Sequence, residues 1–240
     1  MLASSLMARA YADDIFKGRR FSKTWQADER FSYYKDEKDV EIFKNNFVLK
    51  YCDGDKSGKW GLVSLPYRLG DSQKGSSNGL GDITLGFGPR GRIDNFHWLL
   101  YGALTFPTGS FEKKLGNGRL DKKIGGFFTY LTAGEKFEID GALEYNYTGK
   151  NKNKINPPDE IYAGLLAGVK ITDNVRFVTG FTDIIRNNIH SMNYRSVIRY
   201  TVSPALHFEL MGDIGIKNKN IIRGNSLTLL VRYNFEMPVI

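Results

Sequence analysis

The sequence predicts an all-β protein, a single antiparallel up-and-down transmembrane β-barrel of about twelve strands. Three observations predict it. Segments of about ten residues alternate apolar and polar side chains, which gives each one an apolar and a polar face. Polar connections rich in Gly, Asn and Lys separate them, and in the second half of the chain these run alternately short and long. Helical periodicity is nearly absent, and the longest apolar stretch, "IYAGLLAGV" (161–169), stops at Lys170. That is too short for a membrane-spanning helix, whereas a barrel hides its apolar residues in alternation.

The clearest element is the last. Leu227, Leu229, Val231, Tyr233 and Phe235 share one face, against Thr228, Leu230, Arg232 and Asn234 on the other. Counting back from Phe235, strands are expected at 226–235, 206–216, 194–203, 175–185, 160–171, 136–148 and 122–132. Further upstream they fall at 96–106, 79–88, 59–68, 41–51 and 24–34, with weaker alternation before residue 60. In 136–148, Phe137, Ile139, Gly141, Leu143, Tyr145 and Tyr147 oppose Glu138, Asp140, Ala142, Glu144 and Asn146. In 206–216, Phe208, Leu210, Gly212 and Ile214 oppose His207, Glu209, Met211 and Asp213. Connections 132–135, 171–174 and the Pro204 turn are short; 148–160, 186–193 and 217–225 read as long loops. Short turns on one rim and long loops on the other are how outer-membrane barrels are built.

Alternation alone does not say which face is outside. A soluble barrel turns its apolar stripe inward, and a membrane barrel turns it toward lipid. Strand length favours the membrane, since globular strands average five or six residues. Aromatic residues near strand ends (Tyr145 and Tyr147, Tyr233 and Phe235, Phe96 and Trp98) match interfacial girdles. The opposite face then becomes a polar interior. Its candidate lumen-lining residues are Glu138, Asp140, Glu144, Glu160, Lys170, Arg176, Arg195, Arg199, Glu209, Asp213 and Arg232. Pairing through the Pro204 turn places Arg199 diagonally between Glu209 and Asp213. Such mixed-sign rows either brace a plugged lumen or line a solute path. Asp183 falls on the apolar face of its strand, which marks a bulge or a strand end there.

Composition narrows the function classes. The chain has 240 residues and a formal charge of +8, but its basic residues sit in loop-like stretches such as 110–123 and 148–154. They read as solvated loop charge able to meet an anionic lipid surface, with no nucleic-acid partner. One cysteine, Cys52, and three scattered histidines leave no framework for a disulfide or a structural metal, and no cofactor is expected. "GFGPRG" (86–91) spells a nucleotide-binding pattern, but Pro89 and a following strand remove the phosphate cradle. "NYT" (146–148) sits inside an expected strand, and its match to a glycosylation sequon carries no weight in a bacterial export context. His190-Ser191 raises a barrel lipid hydrolase as an alternative, although adjacent strand residues point to opposite faces. Residues 1–12, "MLASSLMARAYA", resemble the tail of a secretory signal with an A-x-A site before Asp13-Asp14, a flexible soluble N-terminus being the rival reading. The barrel domain is therefore expected over 13–240.

Two stretches carry a family resemblance. "SLPYRLGDSQKGSSNGLGDITLGF" (64–87) and "LTFPTGSFEKKLGNG" (104–118) resemble the family labelled MetA-pathway of phenol degradation. The recurring pieces are Leu65-Pro66-Tyr67, Gly79-Leu80-Gly81-Asp82, Pro107-Thr108-Gly109 and Leu115-Gly116-Asn117-Gly118. "YNYTGKN" (145–151) and "ITDNVRF" (171–177) resemble its later pieces, so the likeness spans roughly 60–235. It implies an outer-membrane barrel of a Gram-negative bacterium that passes or binds small, often aromatic or hydrophobic, solutes without catalysis. The closing Tyr233-Asn234-Phe235 also resembles the signal by which outer-membrane proteins meet the barrel-assembly machinery, except that Glu236 to Ile240 follow it. The expected partners are outer-membrane lipid, that machinery and a small solute. The alternatives are the lipid hydrolase and a structural barrel with a plugged lumen.

Overall fold

The computed structural model describes residues 24–36, 41–53, 57–71, 77–113, 115–150, 153, 157–187, 189–219 and 224–235. Residues 1–12 and the tail 236–240 lie outside them. The strands are β1 (Thr24–Asp36), β2 (Glu41–Cys52), β3 (Ser57–Asp71), β4 (Ser77–Leu80), β5 (Ile83–Ile93), β6 (Phe96–Phe106) and β7 (Asp121–Leu131). They continue with β8 (Phe137–Tyr147), β9 (Glu160–Lys170), β10 (Val175–Arg186), β11 (Ile189–Thr201), β12 (Leu206–Lys219) and β13 (Gly224–Phe235).

Strands adjacent in the barrel wall pair antiparallel, and β1 pairs with β13 from Trp25↔Phe235 to Asp36↔Gly224. That seam closes the sheet, so the first and last strands leave no edge to recruit a foreign strand. Thirteen segments make twelve staves, because β4 and β5 both pair with β3 and form one stave broken at Gly81-Asp82. A typical strand of 11 residues is about 36 Å long, and a tilt near 40° brings its height close to an apolar membrane band.

The apolar stripe faces outward. Leu143, Leu165, Ile124 and Leu100 are all exposed, while Asp28, Lys50, Glu138, Arg199, Glu209 and Arg232 are buried inside. This is the inverted arrangement of a barrel whose surroundings are lipid. Aromatic pairs occupy both ends of the outer face. Trp25–Tyr51 and Tyr233–Phe235 lie at the rim that carries β1's start and β13's end; Tyr33–Phe43 lies toward the other, and Phe181–Tyr194 at mid-height.

The first rim carries short turns, including 94–95, 132–136, 171–174 and 202–205. The described residues of the long segments 107–120 and 148–159 both lie at the opposite rim. Two expected loops are corrected. Most of 186–193 continues the β10–β11 ladder, while 217–219 extend β12 against β11 and 224–225 begin β13 against β1; residues 220–223 lie outside the described residues. The β11–β12 register shifts between Met192 and Asn193, where Ile216 is bulged out. Asp183 pairs with Met192 at this level, so it stands near both a bulge and a strand end.

Candidate functional site

Ion pairs fill the lumen near the short-turn rim. Arg176 on β10 forms an ion pair with Glu138 on β8 at 2.7 Å, and Arg199 on β11 reaches Glu138 at 2.5 Å and Asp140 at 3.4 Å. Glu209 on β12 lies 3.9 Å from Arg199 and 3.8 Å from Arg232. Arg232 on β13 then donates twice to Asp28 on β1, at 2.9 and 3.1 Å. Lys50 on β2 and Arg30 on β1 approach the same carboxylate at 2.5 and 3.2 Å. Charges removed from water this completely survive only when each has close partners of opposite sign.

Strand β9 lies between β8 and β10, yet the network crosses it. Gly168 of β9 is the cross-strand partner of Glu138, and a Cβ there would stand 2.6 Å from the Glu138 Cγ. Without one, the glutamate lies flat across β9 and meets arginines two and three strands away.

Beside the network the interior turns apolar. Trp60, Leu62, Leu99, Tyr101, Phe127 and Tyr162 form a buried cluster inside the barrel. Tyr101 stacks on Phe127 with centroids 5.5 Å apart, and Trp60 meets Tyr101 at 5.9 Å. A second group, Leu166, Val178, Val197 and Met211, packs on the adjoining strands.

Toward the long-loop rim the lumen opens into a cavity of about 970 Å³, counting its space open to solvent. Segment 107–120 folds over it and is held by the break in the β4–β5 stave. Asp82 accepts the amides of Gly109 at 2.9 Å and Asn117 at 2.6 Å. Thr108 donates its hydroxyl to the Gly81 carbonyl at 3.0 Å and accepts the Ile83 amide at 2.9 Å. Gly116 has no room for a Cβ, which would collide with the Asp82 carboxylate. The Gly79–Asp82 and Pro107–Gly118 pieces read separately in the sequence are thus two halves of one latch.

The expected lumen residues divide by height. Glu138, Asp140, Arg176, Arg199, Glu209 and Arg232 join the lower network. Arg195 pairs with Asp213 at 2.8 Å, and Glu160 with Arg186, both nearer the long-loop rim. Glu144 is buried beside the positions of Lys123 and Tyr101. Lys170 is part-exposed at the short-turn rim and pairs with Asp173 at 2.7 Å. The expected diagonal is corrected: Arg199 stands directly opposite Glu209 and Arg195 directly opposite Asp213, because the Pro204 turn sets a register two residues tighter. Asp28, Arg30, Lys50, Lys44, Arg68 and Asp82 were missed by sequence reasoning. The one available signal was Arg232, an inward charge on β13 that required a carboxylate on the strand across the closing seam.

His190 lies on the outer face, since it pairs with the exposed Ile185, and its Nε2 is 2.8 Å from the Asp183 carboxylate. Ser191 pairs with the buried Ile184 and so belongs to the inner face. Among the described residues, no group of three or more His, Cys, Asp or Glu side chains is arranged to hold a metal ion.

The family model for the MetA-pathway of phenol degradation matches residues 18–231. The protein belongs to that family. A search of curated proteins returns no match. Among solved structures, this member of the phenol-degradation family resembles an outer membrane channel from Pseudomonas putida F1, with a TM-score of 0.76 and 14% identity. That alignment covers 89% of this chain and 96% of the other. The NanC porin aligns with a TM-score of 0.60 and 12% identity, over 86% of this chain and 98% of that one. A channel described as CymD, for monoaromatic hydrocarbons, aligns at 0.56 and 9%, over 91% and 90%. These likenesses show the fold, a closed antiparallel β-barrel of the kind found in outer-membrane proteins.

Proposed function

We propose that this protein is a non-catalytic channel that admits small solutes through the outer membrane of a Gram-negative bacterium. The observation that carries the reading is the cavity at the long-loop rim, roofed by the latched segment 107–120 and floored by the ion-pair network. In this orientation the short turns face the periplasm and the cavity is an outward vestibule. Solute passes when the buried charges beneath it exchange partners. The neighbouring monoaromatic hydrocarbon channel lends support to small aromatic or hydrophobic cargo. The outer stripe meets outer-membrane lipid.

Single-channel recording in planar bilayers tests this. Discrete conductance supports it; a silent barrel that also excludes small solutes in liposome swelling supports a structural barrel sealed by its network. The hydrolase alternative weakens on geometry, because the His190–Asp183 pair and Ser191 sit on opposite faces. Tyr233 and Phe235, exposed and half-exposed at the periplasmic rim, suit recognition by the barrel-assembly machinery. Replacing Phe235 by Ala should then impair insertion, and removing 236–240 should not; the reverse pattern places the signal elsewhere.

A further inference from the structure

Resting on the outer-membrane orientation proposed above, we infer that the outer face of β11 and β12 is a docking surface for lipid A, the phosphorylated anchor of lipopolysaccharide. Lys217 and Lys219 hold its phosphate at the long-loop rim, and the apolar face beneath them takes its acyl chains. Both lysines owe their direction to the bulge in β12. Below the bulge, the exposed Ile214 stands opposite Tyr194, and Gly215 stands opposite the buried Asn193. Strict alternation from Ile214 would turn Lys217 and Lys219 into the lumen. Ile216 is the extra residue, so Lys217 pairs with Met192 and Lys219 with His190, and both take the outer face. Both are exposed. The bulge thus moves two charges from the interior to the membrane side.

Their height is the second reason. Tyr200 is exposed near the short-turn rim, ten residues along β11 from His190. A rise of about 3.4 Å per residue and a tilt near 40° make that about 26 Å, against an apolar band of about 25 Å. Lys219, opposite His190, therefore stands at the level of the outer-leaflet headgroups. Lys217 starts about 5 Å lower, and its flexible stem reaches up to the same level. In that leaflet the phosphate is carried by lipid A.

The local charges leave the attraction in place. Neither lysine makes an ion pair with the described residues. On the described outer faces of β10, β11 and β12 the sole carboxylate is Asp183, and His190 Nε2 stands 2.8 Å from it. Asp183 lies level with Lys217 but two strands away, with Met192 between them, a separation of about 10 Å. Lys217 and Lys219 are about 7 Å apart at the backbone, a span that one phosphate bridges. Each ammonium meets it as a point charge. Beneath them Ile214 and Leu210 are exposed, and between the two a Cβ at Gly212 would touch nothing within 4 Å. A free phosphate would use only the charge; a lipid uses the charge and the hollow.

Titration of lipid A into the detergent-refolded protein, read by native mass spectrometry, tests this. The parent protein should retain lipid A, and Lys217→Gln/Lys219→Gln should bind it on the order of twentyfold more weakly. Lys136→Gln, at the short-turn rim, should leave binding unchanged. Dephosphorylated lipid A should bind parent and double variant alike. If the double variant lacks heat-modifiable mobility, Lys219→Gln alone carries the comparison, with a loss of about fivefold. Equal affinity of parent and variant for lipid A overturns the inference. So does displacement of lipid A by millimolar inorganic phosphate, or lysine-dependent binding of phosphatidylglycerol as tight as that of lipid A. Conduction is read separately in planar bilayers, so the docking surface and the channel fail independently.

Discussion

Asp28 and Asp82 are both buried acids in the barrel interior, and they are held in opposite ways. Asp28, at the short-turn end, is surrounded by the side chains of Arg232, Lys50 and Arg30 from three strands. Asp82, at the long-loop end, is held by two backbone amides of one segment, 107–120. The first arrangement ties wall to wall and stiffens the barrel's cross-section. The second ties a single segment to a single break. Losing one partner should therefore be global at the floor and local at the mouth.

Asp28→Ala gives the largest expected effect. It leaves three cations facing one another without their central carboxylate, which costs about 3–5 kcal/mol in comparable buried pairs. Denaturant titration followed by gel mobility should show this, and a loss within about 1 kcal/mol would erase the contrast. Asp82→Ala should cost less, about 1–3 kcal/mol. Its signature is proteolysis within 107–120 while the barrel stays folded; Asp82→Asn, which keeps an acceptor oxygen, should recover part of the loss.

A third acid sharpens the local end of the comparison. Asp159, just before β9, accepts the Tyr145 hydroxyl at 2.5 Å and the Thr148 amide at 2.9 Å. These bonds hold its carboxyl below the ordinary value of 3.8. A lowered folded value means the contribution is complete above the unfolded pKa near 3.9 and is lost as pH falls through the lower folded value. Hydrogen exchange at the Thr148 amide should therefore rise only in acid, below about pH 4. Unchanged protection at pH 2 would show that the carboxylate does not hold this segment. The smallest effect belongs to His190→Ala, on the outer face, which should alter stability by less than about 1 kcal/mol.

Most of the fold could be read from alternation because lipid and lumen impose opposite demands on successive residues. That is why β6, β8 and β13 fall where the pattern puts them. The pattern fails where one residue breaks it. Glu29 sits on the outer face of β1 between Phe47 and Val231, so β1 reads as weakly amphipathic and its inward Asp28 and Arg30 go unnoticed. Loop ends failed for another reason. "NNIHSMN" is polar on both faces because β10 and β11 rise toward the rim, and there alternation has nothing to report. The inward charges of β8, β11 and β12 were legible as a set. Their partners were not, since Glu138–Arg199 depends on a glycine that lets one side chain cross a strand.

The seam between the first and last strands carries a consequence for assembly. Asp28 and Arg232 are 204 residues apart in sequence yet face each other directly across β1–β13. Until β13 docks, Asp28 has only the amines of its own side of the sheet, and the network from Glu138 through Glu209 ends on an unfilled place. Arg232 fills it, while the next residue, Tyr233, points the other way toward the membrane rim. Two adjacent residues thus act as a clasp and its outer tab. The clasp can fasten only after every other strand is in line, so closure of the wall and completion of its inner charge network are one event.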